Sequence, residues 1–588
     1  MNGNGITKEE NTILTENFYA LSKKQKYSYT VSLTSCGLYL QKNFNGSTKT
    51  DLIRASDIIG CKCMRNNGKS NECICRPVKN SNTSSHQVRI PYNEAFDCSA
   101  YLCVYAYILK NIATKNEKRD KMIVTLRFRN YNNYEDNLKI AINWKYEINS
   151  LIRTRNEDRI IVTPANNQCL SDRLLVIVNP KSGVGKGREI FQRRVAPVLV
   201  MADIDFELHI TCMQNDARNL VRTSNIYEWG RGIVVLGGDG LMFEVINGLM
   251  ERSDWQRAFE YLTLAIIPGG SGNGLAKSIG YETNEPYMQD PIIISTLNVV
   301  GGNSRPMDLV RVETLSQVVY SFLSVGWGFI ADIDIESERL RILGNPRFTI
   351  WSIARLIGLK TYRARLSYSK VKNVEAKVSN FTKNSFFDCK DINDDDETVS
   401  VEFGMDPVSL EEFDFRERVE SFSSVISKRS AFMSIHESSS FTSIPDIIEE
   451  SDIRMRGPAP KIPPLSEPVP LDWEILEEEF VMIHASYLSH ISEDLILAPN
   501  SKLNDGVIWL LIVKSGISRA SFLQFLLALS TGNHLSFPYV QMIPVNAFRL
   551  EPLSGGSHIV VDGELLKHSP LQAEIMPGVT NVYARQKH

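Results

Sequence analysis

The sequence predicts an α/β lobe built on a doubly wound, mostly parallel sheet, followed by a β-rich lobe and preceded by a small β domain. Three observations predict it. Between residues 172 and 301, short apolar runs alternate with helical stretches, the rhythm of strand–helix–strand units. Three of those runs end in glycine-rich turns: "NPKSGVGKGRE" (Asn179–Glu189), "GGDG" (Gly237–Gly240) and "PGGSGNGLA" (Pro268–Ala276). After Gly301 the apolar runs crowd together, as in "RPMDLVRVE" and "QVVYSFLSV", which is strand spacing without intervening helices.

The first element is residues 25–152. "KYSYTVSLTSCGLYLQ" and "MIVTLRFRN" alternate as half-buried strands do, and Asn137–Ile152 has apolar residues at helical spacing. Several strands closed by a terminal helix suggest a barrel of the PH-like kind. Cys61, Cys63, Cys73 and Cys75 form C-x-C…C-x-C. Structural zinc sites more often use C-x2-C, and two paired strands with small side chains explain the same spacing.

Residues 171–305 form the α/β lobe. "RLLVIVNP", "DFELHIT", "GIVVLGG" and "LTLAIIPGG" are its strands, with helices such as "GREIFQRRVAPVLVMA" and "DARNLVRTS" between them. Residues 306–367 and 472–588 form the β-rich lobe. Residues 368–471 break the pattern with acidic "DINDDDET", serine-rich "SFSSVISKRSAFMSIHESSS" and proline-rich "GPAPKIPPLSEPVP". Such composition buries too little apolar surface to fold alone, so a disordered insertion is expected.

Composition excludes several classes. A chain of 588 residues exceeds one core. Net charge of −3 gives no electrostatic case for nucleic acid. "MNGNGITKEE" has no apolar signal core, and runs such as "VIWLLIV" (Val507–Val513) are too short to span a bilayer. Ten cysteines in so long a chain do not make a disulfide framework. A cytoplasmic protein with at most peripheral membrane contact is expected.

The glycine turns suit phosphate. Beyond the carboxyl ends of parallel strands, bare backbone N–H groups and helix N-termini hold phosphate oxygens. The familiar motifs fail, however. Gly185–Lys186 is followed by Gly187 where a Walker A loop needs Ser or Thr, Gly183, Gly185 and Gly187 are spaced two apart, and protein-kinase signatures are missing.

"VNPKSGVGKG", "GGDGLMFEVINGL" and "IPGGSGNGLAKSIG" resemble the nucleotide-binding motifs of the diacylglycerol-kinase catalytic superfamily. "SFLSVGWGFIADIDIESERLRILGNPRFT" (Ser321–Thr349) and "AFRLEP…VDGEL" (Ala547–Leu565) narrow the resemblance to sphingosine kinases. It covers about residues 171–366 and 472–585. It implies ATP as phosphoryl donor, Mg2+ as cofactor and the primary hydroxyl of a sphingoid base as acceptor. Asp239 matches the catalytic aspartate, as general base or as orienter of the metal. Gly237, Gly238, Gly240, Ser324 and Asp334 match the substrate-binding positions, Asp334 holding the lipid headgroup. Asn179, Pro180, Lys181, Thr211, Asn215, Glu244, Gly270, Ser271, Gly272, Arg341, Arg347, Asp562, Gly563 and Glu564 match the nucleotide contacts. Inside "TCMQN" (Thr211–Asn215) the resemblance is incomplete, because Cys212, Met213 and Gln214 are uncharged where relatives often carry charge.

The residues suit that chemistry. Phosphoryl transfer depends mainly on positioning and charge neutralisation. Glycine turns position, arginines grip phosphate oxygens, and carboxylates such as Asp239 or Asp562 reach a metal directly or through water. A long alkyl tail gains about 0.8 kcal/mol per buried methylene. "SYLSHISEDLILAP" and "ASFLQFLLALSTGNH" offer apolar side chains at helical spacing for such a tail. A carboxylate at Asp334 suits an ammonium better than ceramide's neutral amide. Asp332 and Asp334 alternate with Ile333 and Ile335 as on one face of a strand or turn. Residues 347–366 read as a basic amphipathic helix for anionic lipid or a calmodulin-like partner. His484, His490 and His534 read as satisfied or exposed histidines. Other lipid alcohols, or an inactive lipid-sensing scaffold, are the competing readings.

Overall fold

The computed structural model describes residues 11–21, 26–44, 47–65, 98–111, 117–154, 172–183, 185–270, 272–337, 346–371, 454–567 and 569–585. Most of the expected insertion, with Cys73 and Cys75, lies outside them.

The N-terminal domain begins earlier than residue 25. Strands β1 (Thr12–Leu21), β2 (Lys26–Thr34), β3 (Gly37–Phe44) and β4 (Ser47–Arg54) form an antiparallel meander. β5 (Ile58–Arg65), β6 (Ala100–Asn111) and β7 (Glu117–Phe128) form a second antiparallel sheet. Helix α1 (Tyr134–Thr154) packs Trp144 and Ile148 among Val31, Leu33, Leu102 and Phe128. Buried Asn137 accepts the N–H groups of Asn130 and Tyr131 and donates to the Cys98 and Tyr131 carbonyls. It thereby fixes where α1 leaves the sheet. Cys61 and Cys63 lie on β5, and no metal-binding group of three His, Cys, Asp or Glu occurs among the described residues.

In the α/β lobe, β8 (Leu174–Val178), β9 (Phe206–Ile210), β10 (Gly232–Gly237) and β11 (Thr263–Pro268) run parallel in the order β9-β8-β10-β11. β8, β10 and β11 are buried along their whole length, which is why they are unbroken apolar runs. The helices are α2 (Gly187–Ile190), α3 (Ala196–Met201), α4 (Asp216–Thr223), α5 (Asp239–Met250), α6 (Trp255–Tyr261), α7 (Gly274–Thr283) and α8 (Pro291–Gly301). A π turn at Phe191–Val195 joins α2 to α3. Val198 and Leu199 of α3 and Leu297 of α8 cover one face of the sheet, while Met242, Ile246 and Leu249 of α5 cover the other.

The β-rich lobe is hydrogen-bonded to this sheet, so the two lobes share one mixed sheet of fourteen strands among the described residues. Its strands are β12 (Ser304–Thr314), β13 (Val318–Ser321), β14 (Ser324–Gly328), β15 (Tyr362–Lys370), β16 (Glu474–Ser486), β17 (His490–Ser492), β18 (Leu495–Ile496), β19 (Ile508–Lys514), β20 (Val540–Pro552), β21 (Ile559–Val561), β22 (Glu564–Leu566) and β23 (Leu571–Tyr583). β17 and β18 form a separate hairpin. β23 makes the join: it runs parallel to β11 and antiparallel to β12 and β20. Three further helices are α9 (Phe329–Ser337), α10 (Pro346–Ile357) and α11 (Arg519–Ala528).

Both edges of the expected insertion are corrected. Residues 368–370 belong to β15. Residues 454–471 are irregular backbone fastened to the folded lobes. Arg456 N–H donates to the Met250 carbonyl, Lys461 N–H donates to both carboxylate oxygens of Glu574, and Arg549 donates to the Pro464 and Glu467 carbonyls. Their prolines read as disorder, but here the neighbouring side chains supply the backbone's hydrogen bonds.

Candidate active site

The chain passes from β8 out to β9 and returns to the other side of β8 as β10. Ligands of open α/β sheets bind at such a reversal. All three glycine turns meet there. A Cβ on Gly270 would lie 2.5 Å from the Gly238 Cα, and one on Gly183, whose φ is +55°, would lie 2.5 Å from the Gly269 carbonyl oxygen. The turns approach at backbone distance, and only glycine permits it.

Asp239 opens α5 beneath these turns and is buried. Its Oδ2 accepts the Gly274 N–H at 2.8 Å and its Oδ1 the Leu275 N–H at 3.2 Å, both at the start of α7. Burial raises its pKa to about 6, and those backbone donors offset part of the rise. Asn273, in the left-handed region at φ +58°, caps the third turn. It accepts the Gly270 N–H and donates to the Gly270 carbonyl and to Glu493 on the hairpin loop between β17 and β18.

One cleft of about 1660 Å3 collects most of the expected residues. Asn179, Lys181, Thr211, Glu244, Gly270 and Gly272 line it, as do Gly238, Asp239, Gly240, Ser324, Asp334, Asp562, Gly563 and Glu564. Asn179 Oδ1 accepts the Lys181 N–H at 2.9 Å, which shapes the first turn. Glu244 faces the N-terminus of α4. Burial raises its pKa, and backbone N–H groups at Asn215, Arg218 and Ala217 oppose the rise.

Three expectations change. Gly237, Pro180 and Asn215 do not line the cleft. A Cβ on Gly237 would meet Leu241 and Ser182 side chains instead. Asp562 is at the cleft, but its carboxylate is bonded within the fold. It accepts the Ser321 hydroxyl at 2.6 Å and the N–H groups of Phe322, Leu323 and Ser324 at 2.9–3.0 Å. Asp562 therefore shapes the turn that presents Ser324: its Oδ1 takes three of these bonds and its Oδ2 only that of Phe322. Asp332 and Asp334 lie on helix α9, not a strand, and so face apart. Asp332 is buried against Tyr362 and the His558 N–H, while half-buried Asp334 lines the cleft. Ser271 and Arg341 lie outside the described residues, as does the side chain of Arg347.

The far end of the cleft is apolar, lined by Phe329, Ile330 and Ile333 of α9, Leu356 of α10, and Leu523 and Leu526 of α11. "ASFLQFLLALSTGNH" supplies α11 as expected, whereas "SYLSHISEDLILAP" is the end of β16 and the β17–β18 hairpin, not a helix. α10 stops at Ile357. Arg363 and Arg365 lie on β15 and pair with Glu477 of β16. The continuous basic helix expected over 347–366 does not form, which removes the basis for a calmodulin-like partner.

His484 also lines the cleft, contrary to its reading as satisfied or exposed. Asn273 and Glu493 were missed as well. A left-handed Asn inside "GNG" is a signal for the first; nothing local marks the other.

Residues 173–312 match the model of the diacylglycerol kinase catalytic domain, and residues 465–584 match that of the YegS C-terminal NAD kinase beta sandwich-like domain. The chain is 34% identical over 415 residues to sphingosine kinase 1 of Homo sapiens, covering 69% of this chain and 89% of that protein. It is 31% identical over 542 residues to sphingosine kinase 2 of Homo sapiens, covering 82% and 81%. Sphingosine kinase 1 of Caenorhabditis elegans is 34% identical over 407 residues, covering 68% and 78%. A solved diacylglycerol kinase from Bacillus anthracis str. Sterne superposes with a TM-score of 0.39 at 16% identity, over 71% of this chain and 98% of its own. With its glycine turns meeting at one cleft and this degree of identity over most of its relatives' length, the chain belongs to the sphingosine kinase family.

Proposed function

We propose that the protein transfers the γ-phosphoryl group of ATP to the primary hydroxyl of a sphingoid base. One observation carries the reading: phosphate-binding turns and an apolar slot open into the same cleft, with Asp239 where they meet. The backbone N–H groups of the turns hold the phosphates, and Lys181 adds positive charge beside the first turn. Asp239 is ionised at neutral pH yet more basic than an ordinary carboxylate, so it suits removal of the hydroxyl proton. The start of α7 holds it in place. Ser324 orients the hydroxyl. Asp334 faces the ammonium, an ionic partner that ceramide's amide cannot supply. The side chains of α9, α10 and α11 take the tail.

Mg2+ typically takes one or two carboxylates and completes its shell with phosphate and water. Of the carboxylates here, Glu564 fits, since it stands beside Gly240 and a Cβ there would lie 3.1 Å from its Oε1. When bound, the ion neutralises charge on the transferring phosphoryl group.

Ile353 and Ile357 of α10 and Leu523 and Leu527 of α11 are exposed, and three of these four also line the cleft. An apolar rim at the mouth of a lipid slot suits transient contact with a membrane. No helix among the described residues is long and apolar enough to cross one. Two antiparallel sheets of four and three strands closed by α1 support the PH-like reading of the N-terminal domain.

The test is a kinase assay with labelled ATP against sphingosine, ceramide, diacylglycerol and no lipid. Phosphorylation of sphingosine above the other two is expected. Transfer to ceramide or diacylglycerol instead reassigns the acceptor, and no transfer to any lipid leaves a scaffold.

A further inference from the structure

His484 lines the cleft wall, on β16 opposite Gly326 of β14. It is 5% exposed, and a Cβ on Gly326 would come within 3.0 Å of its Nδ1 and Cε1. The imidazole thus fills the space that a side chain at position 326 would need. Val560 of β21 stands across Gly326 on the other side and also lines the cleft. Neither ring nitrogen of His484 has a hydrogen-bond partner among the described residues. His490 and His534 each bond through one ring nitrogen, to the Ser489 hydroxyl and to the Leu497 carbonyl.

A neutral imidazole carries one donor and one acceptor. Burial keeps this ring neutral, lowering its pKa to about 4. Buried polar atoms of native proteins are nearly always paired. Two unpaired nitrogens on one ring, at the wall of a ligand cleft, call for a partner on the ligand. Their position says which part of it. Ser324 and Gly326 are two residues apart on β14, so the ring stands roughly 6.6 Å along the wall from Ser324. Ile330, Ile333 and Leu356 belong to the apolar stretch beyond. The ring therefore faces the place where a polar head gives way to an alkyl tail, a few bonds past the reacting hydroxyl.

We propose that His484 hydrogen-bonds a secondary hydroxyl of the substrate at this point, making the kinase selective for long-chain bases hydroxylated on carbon 4, next to the usual carbon-3 hydroxyl. The inference rests on the sphingoid-base reading above. A base with a bare carbon 4 leaves the imidazole unpaired in the complex, and a site built to bond a hydroxyl discriminates against ligands that lack it.

The test compares sphinganine with 4-hydroxysphinganine, presented to the full-length protein in identical mixed micelles. The wild type is expected to favour the 4-hydroxylated base in kcat/KM by about tenfold, the worth of one neutral hydrogen bond. His484→Leu abolishes the preference, bringing the kcat/KM values of the two bases within about threefold of each other. His484→Gln, which keeps a donor and an acceptor, retains part of it. In protein with 15N-labelled histidine, 4-hydroxysphinganine moves the His484 ring resonances more than sphinganine does, a readout that does not need the variants to fold. A wild-type ratio near one, or a preference that survives in His484→Leu, overturns the assignment while leaving the enzyme a sphingoid-base kinase. Failure to phosphorylate either base overturns the parent reading and this one with it.

Discussion

The carboxylate of Asp239 accepts the backbone N–H of Gly274 at 2.8 Å. This bond ties the second glycine turn to the helix that follows the third, so the acid and the glycine turns hold one geometry. A preorganised group of this kind loses little on reaching the transition state.

Asp239→Asn keeps the shape and one acceptor oxygen for α7 but cannot take a proton. Turnover is expected to fall by about 10^2 to 10^4-fold, the usual share of a general base. ATP affinity, measured by calorimetry, stays within about threefold. Near-normal kcat removes Asp239 from the chemistry.

The raised pKa of Asp239 sets the acid limb of activity. The residue works ionised and gains its proton as the pH falls through about 6. Below that point kcat/KM is expected to drop about tenfold per pH unit, with little change from pH 7 to 8. A limb near the ordinary carboxylate value of 3.8 would show that burial does not act on this group in solution.

Asp334→Asn removes the charge facing the lipid amine. A charge-assisted bond outweighs a neutral one, so KM for sphingosine is expected to rise by about tenfold or more. KM for ATP stays near the wild-type value. A rise confined to ATP would place Asp334 at the wrong end of the cleft.

Asp562→Ala distinguishes a structural knot from a nucleotide contact. It strips the partners from the Ser321 hydroxyl and from three buried N–H groups. Unfolding in urea is expected to show a loss of about 3 kcal/mol or more. Full stability combined with a selective loss of ATP binding would make Asp562 a direct nucleotide ligand instead.

Arg119 joins the N-terminal domain to the α/β lobe. From β7 it donates to Asp57 and grips both carboxylate oxygens of Glu285, which lies just past the end of α7, and all three side chains are buried. Arg119→Ala removes the hydrogen-bonded partner of two buried carboxylates, leaving Arg585 at 3.8 Å from each, and is expected to cost about 3 kcal/mol of stability. Thermal unfolding of the full chain measures it. An unchanged melting temperature would show that the domains do not depend on this tie.

The glycine turns and Asp239 were legible because their chemistry is local. A turn that must approach other backbone requires glycine whatever the rest of the chain does. Asp332 and Asp334 were misread for the opposite reason. Four alternating residues fit a strand or a helix equally well, and only the packing of α9 against Tyr362 and Arg355 decides between them. The pairing of Asn273 with Glu493 spans 220 positions and leaves no trace in either local pattern. The fastening of residues 454–471 was hidden in the same way, because its donors and acceptors sit on α5, β20 and β23.

The order of residues alone determined the alternation of strands and helices, the three glycine turns, the acid between them and the family resemblance. Tertiary structure alone decided that both lobes share one sheet through β23, that the Asp562 carboxylate bonds the Ser321–Ser324 turn, and that His484 lines the cleft with neither ring nitrogen paired among the described residues. The division follows from range. Backbone conformation and apolar periodicity are set over a few neighbouring residues, whereas the partner of a buried polar atom is chosen by folding from anywhere along the chain.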